Sequence, residues 1–384
     1  MHLLVAITAH GFGHAAQVAP VINALRRRLP ALQVTLLTSL PEAFLRGRIE
    51  GGFRYMAQAA DFGLVMNSAL DIDLDASAAA YAQLHRDWQQ RLAEEVCRLE
   101  SLEPDLVLAD VPYLTLAAAR QAAILAAALC SLNWADIYRH YFTHRKEADG
   151  ILAQMESAYR SARVFLCPEP SMPMSFLDNR VSIGPVAAQG QCRRDELMRQ
   201  LGLDPGTSLV LVAPGGVETR FALENWPVDQ DIHWLVSERW QVQHPNVSPL
   251  EQTGLDFTDL VASCDAVLGK CGYGTVSECV VNATPLMYIP RPDWPEEPVL
   301  LQWLEARNAA VSVEPGRLGS GEFTDLVERA RSLVVKDCRA TGASQAADYL
   351  LQLVTGHAGD DGDARQPAYH VGGCQQPVAR ARPA

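Results

Sequence analysis

The chain has 384 residues, with 32 Lys and Arg against 45 Asp and Glu, for a formal charge of −13. Hydrophobic residues make up 48% and charged ones 20%, which excludes overall disorder and supplies apolar material for about two domains. The net acidity argues against a general nucleic-acid binder, which needs a basic surface to displace counterions from phosphates.

Leu3–Ile7 is a short continuous apolar run, the pattern of a strand buried on both faces. A Gly-rich turn follows, then Ala15–Leu29, where Val18, Val21, Ile22, Leu25 and Leu29 recur at helical spacing. Pro30 ends that helix and Val34–Leu37 returns as a strand, so the opening reads as a βαβ unit on a parallel sheet. Asp71-Ile72-Asp73-Leu74-Asp75 has the look of a metal-binding DxD, but its irregular acidic setting predicts a solvated loop. Ala79–Leu102 is predicted as one long helix, Asp105–Ala109 as a buried strand, Leu114–Ala123 as an Ala-rich helix and Ile124–Ser131 as a further strand or Ala-rich turn. Val164–Cys167 and Val181–Gly184 close this half.

From about Asp204 the same grammar restarts. Leu209–Ala213 is a strand followed by Pro214-Gly215-Gly216, and Ile232–Leu235 and Trp240–Val242 are short strand candidates. Phe257–Cys264 is a helix, and the strand Ala266–Leu268 runs into Gly269-Lys270-Cys271-Gly272-Tyr273-Gly274. Thr275–Asn282 is a helix, Leu286–Ile289 a strand and Val299–Ala306 a helix. The expectation is an α/β protein of two facing, doubly wound Rossmann-like domains, over residues 1–190 and 191–355, with a disordered tail at 356–384. Ligands in such sheets sit beyond the carboxyl ends of the strands.

The nine cysteines form no CxxC and no regular spacing, as expected of thiols in a reducing compartment. No basic leader precedes Leu3–Ile7, and no apolar run reaches the ~18 residues of a membrane span. The expected location is therefore cytoplasmic. Arg26-Arg27-Arg28 reads first as a solvated helix end and second as a patch for peripheral contact with anionic lipid. His140 and His144 stand four apart, but without a third ligand nearby no zinc site is expected.

Two glycine turns carry the chemistry. His10-Gly11-Phe12-Gly13-His14 lies between a buried strand and a helix, where glycines let backbone approach a ligand and free N–H groups favour anionic or polar atoms. It is not a dinucleotide fingerprint, because Gln17 and Val18 stand where later glycines belong. Asp110 ends a strand of the same sheet, so it and His14 are candidates for a carboxylate–imidazole pair, with an N-cap as the alternative role for Asp110. Gly269–Thr275 again joins a strand to a helix: Lys270, the glycine amides and the Thr275 hydroxyl make a phosphate cradle, without the Walker spacing. Glu278 stands one turn further on the same face, where a carboxylate suits sugar hydroxyls such as a ribose diol. Trp134 is a candidate for the acceptor side of the cleft, with His10 and Gly13.

Lys270-Cys271-Gly272-Tyr273-Gly274-Thr275-x-x-Glu278, followed by Pro285 and Pro290, resembles the donor-binding signature of GT-B glycosyltransferases. In the plant and bacterial nucleotide-sugar enzymes of family 1 that signature reads H-C-G-W-N-S-x-x-E, then G-[VT]-P and a proline-led loop ending in [DE]-Q. Gly13-His14 is similar to the G-H of the same families and to the G-G-H of lipid II N-acetylglucosaminyltransferases. The chain also resembles the glycosyltransferase-like N-terminal region of plant L-arabinokinases, which carries similar G-H-G-F-G-H and G-K-x-G-Y-G-T-V-S-E stretches. The resemblance spans roughly residues 1–350.

It implies a GT-B fold and transfer of a sugar from a nucleotide diphosphate, with UDP as carrier, to an acceptor hydroxyl. His14 would be the base and Asp110 its orienting partner. Gly215, Gly216, Gly272, Gly274 and Thr275 would meet the diphosphate, with Lys270 in place of the family's histidine. Glu278 would hold the ribose, and Glu296 and Glu297 would read the sugar. Glu297 departs from the usual glutamine, and the loop Arg291–Pro295 carries two extra residues. Attack by a base-activated acceptor predicts inversion at the anomeric carbon, with no metal or other cofactor. Two other functions fit the same residues: a nucleotide-sugar epimerase or hydrolase, recognised by product formation without acceptor, and a non-catalytic sugar-nucleotide binder, in which His14→Ala changes affinity alone.

Overall fold

The computed structural model describes residues 1–58, 61–216 and 219–356; of the tail expected at 356–384, all but Gly356 lies outside the described residues. The first seven strands are β1 (His2–Ile7), β2 (Gln33–Thr38), β3 (Arg54–Ala57), β4 (Leu106–Asp110), β5 (Ala126–Leu129), β6 (Phe165–Pro168) and β7 (Arg180–Ile183). They form one sheet in the order β3-β2-β1-β4-β5-β6-β7, every pair parallel. A second parallel sheet follows, built from β8 (Ser208–Ala213), β9 (Ile232–Val236), β10 (Val247–Pro249), β11 (Ala266–Lys270), β12 (Leu286–Ile289) and β13 (Ala310–Ser312). Its order is β10-β9-β8-β11-β12-β13. Two doubly wound sheets are the expected α/β architecture.

Why the strands read as unbroken apolar runs is plain in β1. Leu3, Val5 and Ile7 face one core and Leu4 and Ala6 the other, and helices cover both. With no solvent face there is no polar alternation to see. In the second sheet, Leu209 and Leu211 on one face and Val210 and Val212 on the other repeat the arrangement.

Three local expectations change. Ala79–Leu102 is two helices, Leu74–Arg86 and Trp88–Leu102, joined at Asp87. The acidic run before them is ordered: Asp73 caps the first helix by accepting from the Ala76 amide at 2.9 Å, and Ile72 bridges Met66. Trp240–Val242 is no strand; Trp240 ends a short 3₁₀ turn, Glu238–Trp240, and the edge strand is β10. The Arg26-Arg27-Arg28 run is the solvated helix end expected, with Arg27 and Arg28 exposed and in surface pairs, Arg27 with Glu50 and Arg28 with Asp348 at 3.0 Å.

The chain also returns. The helix Gly342–Thr355, expected within the second domain, lays Ala343, Ala346, Ala347 and Leu350 into the core of the first sheet, against the helix Phe12–Arg28. This return runs beside the first crossing: Gly342 N donates to Pro185 O at 3.0 Å and Gly184 N to Gln345 Oε1 at 2.6 Å.

Candidate active site

The sheets bring their functional turns together at strand ends. In the first sheet Ile7 pairs with Asp110, so the carboxylate that ends β4 lies across from the end of β1, where the turn into Phe12–Arg28 begins. His14, in the first turn of that helix, reaches it: Nδ1 lies 3.3 Å from Asp110 Oδ1. In the second sheet Ala213 pairs with Gly269, which sets Gly215-Gly216 beside Lys270 and the start of the helix Tyr273–Val281.

The two helix starts touch. A Cβ on Gly216 would lie 2.6 Å from the Phe12 amide nitrogen, and one on Gly274 would lie 3.1 Å from Gly13 Cα. Only glycine allows backbones this close. Neither helix has a side-chain cap or an acidic residue in its first turn. Their leading amides therefore remain for a ligand, with both dipoles favouring an anion.

One cavity lies at this junction. Its wall includes His10, Gly13, His14, Gly215, Gly216, Lys270, Gly272, Gly274, Thr275 and Glu296 of the residues singled out in the sequence. Asp110, Trp134, Glu278 and Glu297 are set back from it. Phe12, Gln17, Tyr273, Arg291 and Trp294 also line the wall, although none of them has a role assigned from the sequence.

The electrostatics separate the roles. Burial opposes a charge on His14, but the Asp110 carboxylate outweighs it and raises the imidazole above its ordinary pKa. Burial likewise pushes the Asp110 carboxyl up against the charge of His14. Both directions describe one proton held between the two groups. Asp110 occupies Nδ1, which leaves Nε2 as the nitrogen for a reacting partner. His10 differs: burial, then the charges of Lys270 and His14, lowers it well below 6.5, and its Nδ1 accepts from the Leu64 amide at 3.4 Å. It is a neutral wall ring, stacked on Trp294 at 5.8 Å and edge-on to Trp134 at 5.2 Å.

Lys270 has no hydrogen-bond or ion-pair partner among the described residues. Burial, and then the charge of Arg291, lowers its ammonium to about 7, with Glu296 opposing. An unpaired amine beside two uncapped helix starts fits an anionic ligand.

Three candidates, Glu278, Glu297 and Trp134, make contacts that their sequence motifs do not reveal. Glu278 is buried and ion-paired across the domain junction to Arg48, whose second nitrogen lies 3.5 Å from Oε2. The Arg48 guanidinium packs over Phe44 of its own lobe and Phe257 of the other, 5.4 Å from each ring centre. Glu297 accepts from the Arg291 amide at 2.7 Å and so shapes the loop, while Glu296 faces the cavity and accepts from Ser131 Oγ at 2.6 Å. Trp134 is fully buried behind His10 and donates to Asp61 Oδ2 at 2.8 Å. Asp61, which no motif marked, is pushed by burial to about 6. His140 lies in the helix Trp134–Phe142 and His144 beyond its end.

No family model matches the chain. L-arabinokinase of Arabidopsis thaliana is 28% identical over 367 residues, covering 91% of this chain and 34% of that protein. An uncharacterized glycosyltransferase of Methanopyrus kandleri is 27% identical over 172 residues, 40% of this chain and 48% of that protein. The chain thus spans about a third of the first relative's length, and its match covers about half of the second. Among solved structures, CalG4, the calicheamicin glycosyltransferase, superposes with a TM-score of 0.56 at 16% identity, over 93% of this chain and 99% of that one. The spinosyn rhamnosyltransferase SpnG complexed with thymidine diphosphate gives 0.57 at 15%, over 93% and 96%. Arabidopsis thaliana UGT89C1 complexed with UDP gives 0.54 at 16%, over 92% and 99%. The chain has the two-domain α/β fold of the GT-B glycosyltransferases.

Proposed function

We propose that this chain transfers a sugar, with inversion, from a nucleotide-diphosphate donor to an acceptor hydroxyl, with UDP as the carrier. The observation that carries the reading is that the His14–Asp110 pair and the Lys270–Thr275 turn, from different sheets, meet at one cavity. Structural neighbours bound to UDP and to thymidine diphosphate support a pyrimidine nucleoside diphosphate.

In this reading Asp110 holds the tautomer and His14 Nε2 takes the acceptor's proton, a contribution of about 10²–10⁴-fold. The freed oxygen attacks the anomeric carbon from the face opposite the diphosphate, which inverts it. Charge that develops on the departing diphosphate is met by the amides of Gly272, Gly274 and Thr275, by Gly215 and Gly216, and by Lys270, all preorganised. Glu296 reads the sugar from the cavity wall, while Glu297 acts through the backbone it holds. Glu278 keeps Arg48 and offers its remaining lone pairs to the ribose, since a carboxylate accepts about four hydrogen bonds. The acceptor enters past His10 and Trp294.

Thermal shift and calorimetry with UDP, GDP and dTDP test this. One diphosphate is expected to stabilise the protein, and Lys270→Ala to remove the shift. With its sugar and an acceptor, NMR of the product should show inverted anomeric configuration. No shift with any diphosphate refutes the assignment.

A further inference from the structure

Behind the wall that His14 presents to the cavity, three potential ligands from three elements converge. Asp110 ends β4, Cys130 follows β5, and His14 sits in the first turn of its helix. His14 Nδ1 lies 3.3 Å from Asp110 Oδ1 and 3.9 Å from Cys130 Sγ, and the three ligand atoms all lie within 4.8 Å of one another. Asp110 is completely buried, and its two oxygens share the one imidazole nitrogen, each 3.3 Å from His14 Nδ1. A buried carboxylate that shares a single N–H between two oxygens keeps lone pairs for a further ligand.

We propose that His14, Asp110 and Cys130 form a binding site for a thiophilic divalent cation of the zinc type, which switches His14 off as a base. A tetrahedral ion with nitrogen and oxygen at about 2.0–2.2 Å and sulfur at about 2.3 Å sets its ligand atoms roughly 3.3–3.6 Å apart. The imidazole–carboxylate edge already has that length, and the thiol needs to close on Nδ1 by only a few tenths of an ångström. Imidazole plus thiolate selects zinc, cobalt or cadmium over magnesium and calcium, which want oxygen ligands. The fourth position is left for water from the cavity. Sequence spacing hides the set, because Asp110 and Cys130 lie 96 and 116 residues from His14.

The proton balance explains the switch. On binding, the ion displaces the Cys130 thiol proton to solvent, and the proton between Nδ1 and Asp110 moves through solvent to Nε2. The neutral imidazole then carries its one proton on Nε2. Its Nδ1 lone pair is then on the metal and Nε2 is an N–H, so neither nitrogen can accept a proton from a hydroxyl. Only this inhibitory consequence rests on the transferase reading; the metal site does not.

Cobalt(II) chloride titrated into the full chain, free of chelator, tests the site by absorption. The expected result is one equivalent bound, with intense visible bands of tetrahedral cobalt and a thiolate-to-cobalt band in the near ultraviolet. Cys130→Ala should abolish the thiolate band and weaken binding by at least about tenfold. Cys97→Ser and Cys192→Ser, at exposed cysteines, should leave both unchanged. Asp110→Asn gives a second variant in which the visible bands weaken while the thiolate band persists. Failure to bind at micromolar cobalt, or a thiolate band that survives Cys130→Ala, overturns the site. Zinc inhibition of transfer, reversed by EDTA, is the expected functional arm. If no transfer activity exists, the cobalt spectra still decide the site. If transfer is real and zinc-insensitive while cobalt binds, the switch is overturned and the transferase reading stands.

Discussion

On the proposed donor binding, Lys270 should make diphosphate affinity depend on pH in a calculable way. In the free protein its ammonium titrates at about 7 because burial and Arg291 disfavour the charge. A bound diphosphate favours the charge and holds the amine protonated well above that pH. The free amine is then about half charged at pH 7 and about 1% charged at pH 9, so affinity should fall about 50-fold over those two units, near 1.4 kcal/mol per unit once the slope is established. The diphosphate itself is almost fully ionised across this window and adds little slope. Calorimetry in two buffers of different ionisation heat should show uptake of close to one proton on binding at pH 8. Lys270→Arg, always charged, should bind with no such slope. A flat affinity between pH 7 and 9 in the unmodified protein, or a slope that persists in Lys270→Arg, refutes the argument.

The same lysine should limit stability without ligand. Its folded pKa lies below its unfolded value of 10.5, so the unfolded chain binds more protons between about 7 and 10 and stability rises with pH there. Melting curves at pH 6 should therefore show Lys270→Met above the unmodified chain, with the gap narrowing by pH 9. His14→Ala should lower transfer by about 10²–10⁴-fold with diphosphate affinity retained, and Asp110→Asn should cause a loss of similar order through the wrong tautomer; turnover and binding measured side by side check both. Arg48→Met leaves the Glu278 carboxylate buried and unpaired, which should cost about 3–5 kcal/mol in urea unfolding; a loss below about 1 kcal/mol would sink the buried-pair account. Gly216→Ala puts a methyl group 2.6 Å from the Phe12 nitrogen and should reduce turnover more than diphosphate affinity by parting the two turns.

The sequence displayed whatever is local and repeated. Strands such as Leu209–Ala213 and Leu286–Ile289 are buried on both faces, and the turns that follow them carry glycine, so the βα grammar was visible without tertiary knowledge. Edge strand β10 was not, because Val247–Pro249 is only half-buried and ends in proline, whereas Trp240 and Val242 mimic strand alternation. The break at Asp87 was hidden because helical periodicity continues across it. For the site, motifs found the residues that belong to turns. They missed Arg48, Asp61, Cys130 and Arg291, whose meaning comes from partners far along the chain: Arg48 meets Glu278 across 230 positions. The same distance hid the ion pair that Glu278 carries. The helix Gly342–Thr355 has an apolar stripe that is readable, but nothing in it says which sheet it covers.

That returning helix limits how the lobes move. A chain that crosses once permits swivel as well as swing. Here two crossings run side by side, tied by Gly342 N to Pro185 O and Gly184 N to Gln345 Oε1. Such a pair is a spine: any opening of the covers is confined to one line, so that His14 and Lys270, on facing pages, would meet again in the same register.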